Sequence, residues 1–120
     1  MASQYKLKES LIVVTLTGDV YAHDVMSVHK DPEFLRLCRE YLRVVYDYSQ
    51  AESIAISEDN AMAFAKLAII ESGITPQLRI GVIAKDPSHR KGAQFYAETA
   101  NAAGANVIVV DSIYQFLEQC

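Results

Sequence analysis

Two cysteines, Cys38 and Cys120, are all that the sequence holds, too few for a disulfide scaffold of the secreted kind and without the spacing of a metal or redox motif. Both are expected as free thiols in a reducing compartment, the cytoplasm. Basic charge is also in short supply: 11 Lys and Arg stand against 15 Asp and Glu, a formal net charge of −4. The whole excess of acid lies in residues 1–60, so no broad cationic surface forms and nucleic acid is excluded as a partner. Long hydrophobic runs are missing. The longest, Ala61 to Ile70, is broken by Lys66 and falls short of the ~20 residues of a membrane span. The first ten residues carry Lys6, Lys8 and Glu9 where an export signal would need an apolar core.

Catalytic signatures are absent too. No Gly-x-Ser-x-Gly elbow occurs, Gly92 lies outside any phosphate-loop spacing, neither cysteine shows local marks of activation, and no carboxylate pair can be placed together. His23, Asp24 and His29 suggest a metal at first sight, but two histidines six apart do not share a helical face and no third ligand follows. The expectation is therefore a protein that is not an enzyme and uses no cofactor and no metal.

What is present is a chain of 120 residues, 51% of them hydrophobic, long enough to bury its own core as one domain over 1–120. Residues 4–8 and the β-branched run Leu11 to Val20 read as two strands meeting at Glu9-Ser10, an antiparallel hairpin. Gly18-Asp19 punctuates the second, and Tyr21 to Lys30 is a short segment that can be helical. Asp31-Pro32-Glu33 starts a helix with Phe34, Leu35, Cys38, Tyr41 and Leu42 as its apolar stripe. Arg43 to Asp47 reads as a buried strand ending in a polar turn. Ser57 is the N-cap of a helix running to Gly73, Leu78 to Ala84 a further strand, Asp86-Pro87-Ser88 a repeat of the helix-start signal, Gly92 to Ala103 an alanine-rich helix, Asn106 to Val110 the last strand, and Asp111-Ser112 the cap of a final helix. This order implies an α/β fold with a mixed five-stranded sheet, one antiparallel edge strand and the rest mostly parallel, flanked by helices.

The strand end Val44-Val45-Tyr46-Asp47-Tyr48-Ser49, the capped helix at Ser57 and the closing Val107-Ile108-Val109-Val110-Asp111-Ser112-Ile113 stretch leading to Phe116-Leu117 carry a resemblance. On these residues the chain is similar to the STAS-type domain of anti-sigma factor antagonists, and more closely to its short SpoIIAA-like relatives. The resemblance implies a non-enzymatic cytoplasmic interaction or regulatory module. In the antagonist branch a serine at this helix start is phosphorylated by a partner kinase, and Ser57 is the matching position. Where the family pattern reads Asp-Ser-Ser-Gly, this chain has Ala55-Ile56-Ser57-Glu58. By fold analogy with lipid-binding Sec14-type domains, a small apolar ligand is a second possibility.

Two surfaces are candidates. The helix from Ser57 is apolar nearly all round, more than one sheet face requires, so Ser57, Met62, Phe64 and Ile69 are expected at a contact with a protein partner or a second copy, a homodimer. Alternatively its alanines simply tolerate exposure. The stretch Lys85 to Gly92 gathers His89, Arg90 and Lys91 at a helix start, where cations oppose the helix dipole unless an anion reconciles them. A small anionic or amphiphilic, lipid-like ligand there, with Tyr48 as a wall, is the alternative to a solvated loop. Asp47 and Lys85 faintly resemble the acid and lysine of a response-regulator receiver, whose paired metal-holding acids this chain lacks. Tyr46, Tyr48 and Tyr96 are ordinary packing unless a pocket collects them. An apolar pocket near Arg90 favours a small molecule; a flat helix buried across a two-fold axis favours association.

Overall fold

The computed structural model describes residues 2–119. Strand β1 (Ser3–Lys8) and strand β2 (Leu11–Tyr21) form the expected antiparallel hairpin. Its two-residue turn puts Glu9 at φ 52° and Ser10 at φ 66°, the left-handed pair whose twist matches that of the flanking strands. Helix α1 (Ala22–His29) and helix α2 (Pro32–Tyr41) follow, the second capped by Asp31, whose carboxylate accepts the Glu33 amide at 3.0 Å. Then come β3 (Arg43–Ala55), α3 (Glu58–Ile74), β4 (Arg79–Ile83), α4 (Pro87–Ala102), β5 (Val107–Val110) and α5 (Ile113–Glu118). The helix α3 continues one residue past Gly73, to Ile74, with Thr75 as its C-cap. The start expected at Gly92 lies earlier, at the Asp86-Pro87-Ser88 signal itself.

The sheet runs β1-β2-β3-β4-β5, with β1 antiparallel and all other pairs parallel. Three successive crossovers step the same way across it, and right-handed crossovers in one direction place every connecting helix on one face. Accordingly Val28, Phe34, Phe64, Ala65 and Ala97, from all four connecting helices, share a core with Ile12, Val14, Val44, Tyr46, Ile80, Val82 and Val107. Among the described residues the opposite face is covered by α5 alone: Phe116, fully buried, packs on Leu11, Val13, Val45, Ile83 and Val110.

Strand β3 departs most from expectation. It does not stop at Asp47 but continues for eight residues, pairing with β2 as far as Tyr21↔Ala55. The register slips twice, between Thr15↔Asp47 and Thr17↔Gln50 and between Gly18↔Ala51 and Asp19↔Ser53, so β3 carries an extra residue each time. Each bulge resets the two-residue alternation. Tyr48, Ala51 and Ile54 thereby all reach the helix-side core although they stand three apart, a spacing that reads as a polar loop when a strict period of two is sought.

Candidate functional site

Strand β4 accompanies β3 only to the pair Asp47↔Ile83 and then turns away toward α4. Beyond that point the sheet beneath α3 and α4 narrows to β2 and the extension of β3. The two helices meet through small residues farther along, with Ala65, Ala68, Ala97 and Ala100 all buried. Their first turns instead border a cavity of about 880 Å³ at the carboxyl ends of the parallel strands, where open α/β sheets place their ligands.

Five elements line it: Val25 and His29 from α1, Tyr46, Tyr48 and Ile54 from β3, Ala61 and Phe64 from α3, Val82 and Ala84 in and just after β4, and Ala93, Phe95 and Tyr96 from α4. The interior is apolar and aromatic, with three phenols. The Tyr46 hydroxyl lies 3.2 Å from His29 Nε2 and the rings stack at 5.9 Å. Burial pushes the His29 pKa below its ordinary 6.5 against the opposing pull of Glu71. The imidazole is therefore neutral at neutral pH, and its tautomer sets whether Nε2 accepts from the phenol or donates to it. Tyr48 and Tyr96 keep part of their surface open to the cavity. Both phenols are held above their usual pKa, chiefly by burial, and Tyr96 further by Tyr48 nearby. Neither hydroxyl has a hydrogen-bond partner among the described residues, so both are available to an occupant. The pocket thus collects Tyr46, Tyr48 and Tyr96, the condition that separates them from ordinary packing.

The candidate residues fall in three places. Ser57 stands at the cavity mouth, and its hydroxyl is engaged in a capping box, accepting the Asn60 amide at 3.1 Å and donating to Asn60 Oδ1 at 2.9 Å. Of the residues expected at an outer contact, Met62 is exposed and Ile69 half-buried, while Phe64 is buried, turned into the core and the cavity. A partner on the outer face of α3 would meet Met62, Ile70 and Ile74 instead, which stand at i, i+8 and i+12, on one side of the helix.

The basic cluster divides. His89 and Lys91 border the cavity, but Arg90 is already bound: its Nη1 donates to Asp111 Oδ1 at 2.6 Å and to the Ala84 carbonyl at 3.2 Å. The anion expected to reconcile these cations is thus, for Arg90, a side chain of this protein on the far strand end. That pairing is long-range and invisible in the local sequence.

The two histidines do not converge. His23 is exposed and stacks on Tyr21, whereas His29 belongs to the cavity. Cys38 is buried, and burial raises its thiol to about 12, so it stays protonated; Cys120 lies outside the described residues. No helix among the described residues is long and apolar enough to cross a membrane.

No protein-family model matches the chain, and no curated protein matches it. Solved structures do. The unphosphorylated anti-sigma factor antagonist SpoIIAA is similar over 98% of this chain and 96% of its own, with a TM-score of 0.61 at 11% identity. A candidate anti-sigma factor antagonist of Thermotoga maritima is similar over 98% and 92%, with a TM-score of 0.57 at 10% identity. A Shewanella loihica protein of SpoIIAA-like fold is similar over 98% and 91%, again with a TM-score of 0.57 at 10% identity. At such identities the likeness shows the fold, a mixed five-stranded sheet with flanking helices of the SpoIIAA-like kind.

Proposed function

We propose that this chain is a non-catalytic cytoplasmic binding module on a SpoIIAA-like fold, with its site in the cavity between the first turns of α3 and α4 and a small, largely apolar molecule as its ligand. The observation that carries this reading is the cavity itself. About 880 Å³ lies within the range of sites that enclose most of a drug-sized molecule. Its walls combine an apolar body with two unpartnered phenols, the mixture that gives a ligand both burial and orientation.

N-phenyl-1-naphthylamine, whose fluorescence rises in apolar surroundings, tests it. The wild type should bind the dye saturably at one site. Ala93→Trp, which fills the cavity from α4, should abolish binding while leaving the circular dichroism unchanged. No saturable binding, or equal binding by the filled variant, contradicts the reading.

A second reading, an interaction module that contacts a protein partner or a second copy, is favoured by two observations. Ile70 and Ile74 are 60% and 58% exposed and Met62 38% on the outer side of α3, and two proteins of similar fold are described as anti-sigma factor antagonists or candidates for that role. Light scattering across concentration separates the homodimer from the rest: the mass should double and Ile70→Glu should restore the monomer, whereas a monomer at every concentration removes self-association.

A further inference from the structure

Four carboxylates, Glu52, Glu58, Asp86 and Glu98, border the cavity, against one ammonium, Lys91, and His89. The whole chain carries a formal −4, so much of its acidic excess gathers at this one opening. Glu52, Glu58 and Glu98 take no part in any ion pair among the described residues. Asp86 caps α4 through Ser88 and Glu58 lies in the first turn of α3, so Glu52 and Glu98 are the carboxylates that no group among the described residues compensates, and a bound cation would do so. The one guanidinium nearby, Arg90, is committed to Asp111 and the Ala84 carbonyl.

Inside, the chemistry points the same way. Tyr48, Tyr96 and Phe64 offer aromatic rings, Tyr46 being stacked on His29, and the negative faces of such rings attract a cation, more strongly so when it is desolvated. The single ionisable nitrogen at the floor, His29, is kept neutral by burial, so nothing there repels a positive charge. An anionic ligand would meet both the carboxylates at the mouth and the ring faces within, which reverses the sign suggested by the local run His89 to Lys91.

Resting on the cavity as a ligand site, we propose that its occupant is an organic cation, an amine or quaternary ammonium carried on an apolar or aromatic body. The body lies against Val25, Ile54 and Val82, and the charge sits between the tyrosine rings and the carboxylates of the mouth.

Three probes of one shape test it by isothermal titration at low ionic strength: 2-(1-naphthyl)ethylamine, a cation at neutral pH, 2-(1-naphthyl)ethanol, neutral, and 1-naphthylacetate, an anion. The amine should bind about tenfold tighter than the alcohol and the acid more weakly than either. Added salt, or Glu52→Gln together with Glu98→Gln, should narrow the margin between amine and alcohol several-fold. An alcohol that equals the amine, or an acid that binds tightest, overturns the cation and leaves the ligand cavity standing. Failure of all three probes overturns the cavity as a ligand site and the cation with it.

Discussion

A β-carbon added at Gly81 would lie 2.5 Å from Phe116 Cδ1 and 2.9 Å from Cε1, because the ring that covers the second sheet face rests on the bare backbone of β4. Phe116 is fully buried, so Gly81→Ala should cost about 1–3 kcal/mol through overpacking, seen as a lower midpoint in urea unfolding. His29 makes a prediction of a different kind. Burial lowers its pKa below 6.5 in the folded chain, so as pH falls through 6.5 the unfolded state takes up the proton first. Stability from this residue is complete above that pH and falls as the pH drops toward the folded pKa. His29→Gln should flatten the decline in urea midpoint between neutral pH and pH 5, after correction for the carboxylates. An unchanged slope would show that His29 does not contribute. Neither contact is local in sequence, since Gly81 lies 35 residues from Phe116 and His29 17 from Tyr46. Composition and periodicity carry no sign of either.

Among the elements, those with strong end signals were legible. Asp31, Ser57, Asp86 and Ser112 each cap the helix they precede, their side chains accepting an amide from the first turn. These are short-range hydrogen bonds, written in four or five consecutive residues. Ser57→Ala should therefore cost about 1 kcal/mol of unfolding free energy, whereas Ser57→Asp, which keeps a capping oxygen, should cost less; equal losses would mean that the cap does not hold α3. Strand β3 was legible only up to Asp47. Past that residue its two bulges break the alternation, and what holds Ser49 to Ala55 as a strand is β2, the partner 34 residues away at Asp19↔Ser53, where Ser53 Oγ also donates to Asp19 at 2.7 Å. The missed extension is the element that brings Tyr48 and Ile54 to the cavity, so the site was hidden for the same reason as the strand.

At the scale of the molecule, the arrangement follows from one asymmetry. Strands β2 and β3 have 11 and 13 residues, β4 and β5 only 5 and 4, while the helices above them share one face. Where the short strands end, α3 and α4 lose the floor beneath them and a cavity remains. The apolar surplus that the sequence placed on α3 is thereby divided: Phe64 and Ala61 turn inward to the cavity, and Met62, Ile70 and Ile74 remain outside. Methyl-resolved NMR of protein labelled at Ile, Val and Ala, titrated with 2-(1-naphthyl)ethylamine, distinguishes these two destinations directly. A ligand in the cavity should give saturable shifts concentrated at Val25, Ile54, Val82, Ala84 and Ala93, with Ile70 and Ile74 unmoved. Shifts confined to Ile70 and Ile74, or none at any labelled methyl, would contradict that placement.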